Sequence, residues 1–294
     1  MKNPTSLQVK NFQKAIWAYY KKHRRSFPWR ENITEYNVAI SEIMLQQTQA
    51  PRVVSKYLSF IKKFPSWKSL AQAPLHDVLA EWKGLGYNRR ALNLQKLAKI
   101  VTNDLKGKLP QTPTALIELP SIGPNTAGSI MAFAWNIPHP FIETNIRSVY
   151  IHFFFNKSKA KIHDKEILKI VEITLDRKNA REWYYALMDY GVMLKAQMKL
   201  ESKLDPSRKS KHYTKQKSFK NSNREVRSLI LSTLLKGPAT QQKIIDAVIL
   251  AKSIYRTEEN IIKNLLTLEK EGFIQRKKQD QMNDPAFEIS SSEA

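Results

Sequence analysis

The chain of 294 residues contains no cysteine. Disulfides, thiol nucleophiles and any metal or iron–sulfur centre held by thiolates are therefore excluded. The six histidines are scattered without the tight spacing of a ligand set, so no metal is expected. No apolar run approaches the ~20 residues that a membrane span needs, and no apolar h-region follows Met1-Lys2-Asn3. Neither a membrane partner nor a signal peptide is expected, and a cytoplasmic location is the default. Acidic residues are few: 26 Asp and Glu stand against 49 Lys and Arg, a formal net charge of +23. Such an excess favours a polyanionic partner. The same composition also fits a cationic protein whose charge only keeps it soluble, such as a ribosome-associated factor.

What is present is mostly helical. Alternating strand patterns are scarce in the first two hundred residues, whereas Val53, Val54, Tyr57, Leu58 and Ile61 share one helical face, as do Leu94, Leu97, Val101 and Leu105. Pro51, Pro65, Pro74, Pro110, Pro120 and the Lys83-Gly-Leu-Gly86 turn mark the breaks, and Thr112-Pro113 reads as an N-cap with proline at the first helical position. An all-α domain of roughly ten short helices is expected over residues 1–203. Composition then shifts: Lys203 to Arg224 holds eight Lys or Arg against one Asp, which predicts a polar linker over 204–223 that tracks phosphates or merely separates domains. Residues 224–294 predict three helices, Glu225–Leu235, Thr240–Ala251 and Glu258–Glu271, then a hairpin pairing Phe273–Lys277 with Ala286–Ile289. That order is a winged-helix-like domain, a module that meets either DNA or protein.

Two places could carry chemistry. Gly123-Pro124 opens a helix whose first N–H groups are unpaired, a setting that stabilises an anion such as one DNA phosphate. Within Leu119-Pro-Ser-Ile-Gly-Pro-Asn-Thr-Ala127 it predicts a helix-hairpin-helix. Glu42 lies among Val38, Ile40, Ile43, Met44 and Leu45, where burial would raise its pKa and keep a proton ready for a leaving group. Read from spacing alone, it is an ordinary surface glutamate.

Ser41-Glu-Ile-Met-Leu-Gln-Gln-Thr48, Trp82-Lys-Gly-Leu-Gly-Tyr87, Leu119–Ala127, Glu143-Thr-Asn145 and Leu187-Met-Asp-Tyr-Gly191 resemble, in order and spacing, the helix-hairpin-helix DNA glycosylases. The pattern is most similar to the adenine-DNA glycosylase branch, which removes adenine mispaired with 8-oxoguanine, and it covers roughly residues 8–198. The resemblance implies that Glu42 is the acid protonating adenine N7. It also implies that Glu143 is the second carboxylate, which balances the oxocarbenium charge or captures C1′. The family has Asp at that position, and one extra methylene moves a carboxylate by ~1.5 Å. Gln47, Thr48, Leu85 and Tyr87 match residues that enter the duplex around the mispair, although Leu85 could equally be core. Gly123, Asn125 and Thr126 match the phosphate-binding turn, and Asn145 a polar residue near sugar and phosphate.

Three departures accompany the resemblance. Asn125 stands where lyase relatives place a Schiff-base lysine and the adenine branch often has Tyr, which implies a glycosylase without efficient lyase activity. Lys195–Leu204 lacks the four-cysteine iron–sulfur ligands, so a cluster-free member without cofactor is implied. The usual C-terminal domain that reads 8-oxoguanine is replaced by the winged-helix-like segment. The expected protein is a monomer acting on duplex DNA containing a mispair or lesion. Excision of a different damaged base, and a non-catalytic DNA-binding role for the same scaffold, are the alternatives.

Overall fold

A computed structural model describes residues 3–215, 218–250, 257–277 and 284–291. Twelve helices lead to a short 3-10 turn: α1 (Ser6–His23), α2 (Pro28–Glu31), α3 (Glu35–Leu45), α4 (Ala50–Lys63), α5 (Trp67–Gln72), α6 (Leu75–Trp82), α7 (Arg89–Asn103), α8 (Pro113–Ile117), α9 (Pro124–Trp135), α10 (Thr144–Phe154), α11 (Asp164–Thr174) and α12 (Ala180–Leu200), with the turn at Pro206–Lys209. Ten were expected. The surplus comes from pieces such as α2, of four residues, and α8, of five, too short for any periodicity to show. After the turn come α13 (Asn223–Leu234), α14 (Gln241–Ile249), α15 (Glu258–Lys270) and a small sheet of β1 (Ala239–Thr240), β2 (Ile274–Arg276) and β3 (Ala286–Ile289).

The chain packs as two compact units, residues 1–42 with 109–215, and residues 43–108 with 216–294. This grouping follows neighbours in space and differs from the linear division at 203 and 223 expected from composition. In the first unit α12 is the central element, packed against α1, α9 and α10. Its core is aromatic: the Phe12 ring lies 5.2 Å from Tyr150 and 5.7 Å, edge-on, from Trp183. Such edge-to-face pairs add ~0.5–1.5 kcal/mol beyond the area they bury. Part of the expected linker belongs to this unit. The 3-10 turn packs on α10, Ser207 and Ser210 are buried, and Ile162 N–H and Lys211 N–H exchange hydrogen bonds with the carbonyls of Lys209 and Ile162. Charge density concealed this, because short serine hydroxyls rather than apolar side chains fill the contact.

In the second unit α5 and α6 pack on α7, and α4 packs on α6. Val53, Tyr57 and Phe60 form the buried stripe of α4, whereas Leu58, expected on that face, is 52% exposed. The winged-helix order is observed: α13, α14 and α15 pack together, and β2 and β3 pair antiparallel with Ile274 opposite Ile289. The two-residue β1, too short to read from sequence, adds to β3 and gives the sheet order β1-β3-β2. Phe273 and Phe287 are fully buried beneath it. Glu271 carries one ion pair within this module and one to α7 of the same unit. Arg227 on α13 and Arg89 on α7 both reach Glu271, each at 2.5 Å. No helix among the described residues is long and apolar enough to cross a membrane.

Candidate active site and nucleic-acid contacts

Glu42 sits on the most apolar stretch of α3, with Val38, Ala39, Ile40 and Ser41 buried before it. The carboxyl is only partly accessible, and loss of solvation pushes its pKa up to about 7. A hydrogen bond with Ser129 of α9 opposes the rise, the negative charge of Glu143 adds to it, and the Arg30 guanidinium opposes it more weakly. Desolvation is the dominant cause, which is the arrangement that leaves an acid protonated near neutral pH. Arg30 is itself buried and held by the carboxylate of Asp189, at 3.0 and 2.9 Å, while Arg25 bonds the same carboxylate from its side chain and backbone. The Tyr185 ring lies 4.3 Å beneath the Arg30 guanidinium. The Leu187–Gly191 motif thus contributes Asp189, which fixes the cation that faces Glu42.

Glu143 is the N-cap of α10. Its Oε1 accepts the N–H groups of Asn145 and Ile146, both at 2.8 Å, and its Oε2 accepts Asn145 Nδ2 at 3.2 Å. The helix-end role and the proximity to Glu42 therefore coexist. Two glycines allow the close packing around it. A Cβ on Gly128 would lie 2.6 Å from Phe141 Cβ, and one on Gly191 would lie 2.7 Å from the Cβ and carbonyl oxygen of Asn145. Asn125 accepts the N–H of Ile142 at 3.2 Å, so its side chain holds the segment that leads into Glu143.

The helix-hairpin-helix is built as its residues dictate. Thr112 caps α8 through Ala115 N–H, and Gly123 is the N-cap of α9 with Pro124 in the first turn. At φ −92° Gly123 needs no glycine for its backbone; what the missing side chain leaves is open space before the helix N-terminus. Gly123 and Asn125 are exposed and Thr126 is half-buried, an arrangement suited to receiving an anion.

The second unit carries the other expected contacts. Gln47 (φ 55°) and Tyr87 (φ 49°) both adopt the left-handed region, a strained state for non-glycine residues that the surroundings must hold in place. Arg90 does so. Its guanidinium donates to the carbonyls of Ile43, Met44, Gln46, Leu85 and Gly86, and to Thr48 Oγ1. One buried cation thereby ties the Gln46–Thr48 turn to the Lys83–Tyr87 turn, and burial lowers its pKa to about 10. Tyr87 Oη accepts a 2.7 Å hydrogen bond from Arg224 of α13, whose guanidinium also lies 5.0 Å from the ring. A cleft of about 530 Å³ is lined by Gln47, Thr48, Tyr87, Phe219 and Arg224. Leu85 is buried, at 4% exposure, and belongs to the core in this state. Sequence reasoning missed Arg90, because the carbonyls it bonds belong to two turns that only the fold brings together. It also missed Ser129, whose only signal was adjacency to the Leu119–Ala127 motif, and Arg30, which lies outside every quoted motif.

The helical scaffold with its helix-hairpin-helix, the buried Glu42 and the nearby Glu143 is the arrangement expected from the motifs. Residues 40–173 match the HhH-GPD superfamily base excision DNA repair protein family. An adenine DNA glycosylase of Buchnera aphidicola subsp. Baizongia pistaciae is 35% identical over 62% of this chain and 52% of its own length. A thymine/uracil-DNA glycosylase of Methanothermobacter thermautotrophicus is 27% identical, over 68% of this chain and 91% of its own. Among solved structures, a thermostable thymine-DNA glycosylase superposes with TM-score 0.60 at 27% identity, covering 64% of this chain and 87% of that one. The chain spans about half the length of the Buchnera relative. The four-cysteine cluster implied by the family resemblance does not fit these residues: the chain has no cysteine, and Lys195, where that loop would begin, is hydrogen-bonded to Asn145. Among the described residues no group of three or more His, Asp or Glu is placed to hold a metal.

Proposed function

We propose that the protein is a base-excision DNA glycosylase that extrudes a mispaired purine, adenine opposite 8-oxoguanine or guanine, and hydrolyses its N-glycosidic bond without cleaving the strand. The observation that carries this is Glu42, with a pKa of about 7 beside the negative charge of Glu143. A carboxyl that keeps its proton near neutral pH, with a second carboxyl beside it, is what glycoside cleavage needs. Glu42 gives its proton to the base nitrogen as the bond to C1′ breaks. Glu143 balances the positive sugar, and water adds at C1′ to leave an abasic site. Donors at both oxygens of Glu143 fix it before the charge develops, so little reorganisation is left for the reaction step. In this reading Gly123, Asn125, Thr126 and Asn145 hold backbone and sugar, and Gln47, Thr48 and Tyr87 fill the gap in the duplex, with Leu85 supporting them from the core.

Asn125 supports the monofunctional assignment, since an amide cannot form a Schiff base. Borohydride should trap little enzyme–DNA adduct, and strand breaks should appear only after alkali or heat; efficient trapping contradicts the assignment. The deciding experiment is base release from a panel of 8-oxoguanine:adenine, guanine:adenine, guanine:thymine and guanine:uracil duplexes. Adenine release supports the proposal. Exclusive release of thymine or uracil instead favours a second reading, motivated by the thymine/uracil-DNA glycosylase relative, 91% of whose length this chain spans. Binding without any release favours a non-catalytic role.

A further inference from the structure

We propose that Lys195 is a positioning residue for Glu143, acting through Asn145, an inference that rests on the glycosylase reading above. Asn145 has one acceptor end and one donor end. Its Oδ1 accepts from Lys195 Nζ at 2.9 Å, and its Nδ2 donates to Glu143 Oε2 at 3.2 Å. An ammonium can only donate and a carboxylate can only accept. The two charged groups therefore admit one orientation of the amide: flipped, it would set oxygen against carboxylate and NH2 against ammonium. Lys195 thus determines which end of Asn145 faces Glu143, and with it the placement of Oε2.

The surroundings fix Lys195 in turn. Its ammonium lies 3.9 Å from Asp205, which accepts the N–H of Ser207 at 2.8 Å and the hydroxyl of Ser148 on α10 at 2.9 Å. Gly191 and Lys195 are four residues apart and share one face of α12. Gly191 permits the contact, since any Cβ there would collide with Asn145, and Lys195 sets its direction. Tied to both Asn145 and Asp205, this ammonium is placed to hold a side chain rather than a phosphate, and its three donors suit that use.

The test is single-turnover excision at saturating enzyme, with duplex affinity measured in parallel. A shift of ~1 Å at a reacting group costs about 10²-fold, so Lys195→Met should slow excision by about 10- to 100-fold while affinity stays within about twofold. Lys195→Arg, another donor-only cation, should recover most of the rate. In an Asn145→Ala background Lys195→Met should have no further effect. Equal losses in both backgrounds, or lost affinity at an unchanged rate, overturn the proposal; so does a borohydride-trapped adduct that disappears with Lys195, which would make this residue the nucleophile. The Asn145 side-chain amide signals of ¹⁵N-labelled free protein provide a readout independent of activity. They should move in Lys195→Met and stay in Lys195→Arg, and unmoved signals overturn the positioning role. A wild-type protein that releases no base although those signals do move brings down the glycosylase reading instead, and the role of Lys195 in excision with it.

Discussion

The two units of the protein use charge in opposite ways. In the unit containing α9, α10 and α12 the decisive groups are carboxyls, one made protonatable by burial and the other held by helix-end N–H groups. In the unit containing α4–α7 and α13–α15 the decisive groups are arginines: Arg90 bonds carbonyls of two turns, and Arg224 holds Tyr87. In the proposed reading the first arrangement prepares a reaction and the second a surface. A net charge of +23 suggests phosphate binding throughout, yet Arg30 and Arg90 are buried at 5% and 8% exposure and act on protein groups. Bulk charge therefore does not identify which cations face DNA.

The contrast breaks most visibly at Glu42. Glu42→Gln should lower excision by about 10²- to 10⁴-fold, since the amide keeps the shape and loses the proton, while duplex binding persists. The same variant should be more stable than wild type at neutral pH. The folded pKa of about 7 exceeds the 4.5 of a solvated glutamate, so the folded state holds the extra proton between those values and stability falls as pH rises through that window. The gain from Glu42→Gln should reach about 1–3 kcal/mol above pH 7 and vanish below pH 4. Chemical denaturation at two pH values checks it; a variant less stable than wild type at pH 8 contradicts the burial argument.

Glu143 offers the next largest effect. Glu143→Gln should reduce excision by about 10²-fold, because an amide cannot balance the oxocarbenium charge. Glu143→Asp should give no improvement, because the shorter side chain leaves the reach for which this pocket is built. A substantial rate gain with Asp would mean that the native residue handicaps adenine removal. Loss of the cap also costs ~1 kcal/mol of stability, so rates are compared on folded protein.

The two regions differed in how far they could be read from sequence. The burial of Glu42, the helix start at Gly123-Pro124 and the order of three helices and a hairpin were legible because local pattern determines them: an acid in an apolar run, a breaker at a helix start, caps and turns at regular intervals. Lys195, Arg90 and the packed Pro206–Lys209 turn were not, because their partners lie far along the chain; Lys195 and Asn145 are fifty residues apart. Leu85 shows the limit from the other side. Its motif left duplex contact and core packing equally open, and the side chain is buried.

Arg90→Met should destabilise the protein by about 2–4 kcal/mol, since it leaves buried carbonyls unpaired. Thermal unfolding with a midpoint unchanged from wild type would show that water replaces the guanidinium and that the two turns hold without it. Arg224→Ala should have the smallest effect. A half-exposed pair of this kind is worth about 0.5–1 kcal/mol, so stability should hardly move, while discrimination between matched and mispaired duplexes should weaken as Tyr87 loses its partner. Unchanged discrimination would separate α13 from the reading of the duplex.

The central claim is that burial makes Glu42 the proton donor for base release, and the pH dependence of single-turnover adenine excision tests it most directly. The rate should be high below pH 7 and fall about tenfold per unit well above it as Glu42, with its pKa of about 7, loses its proton. Glu42→Gln should be slow and without that limb. A wild-type rate that stays level from pH 6 to pH 9, or a Glu42→Gln variant that reproduces the wild-type profile, would contradict the account.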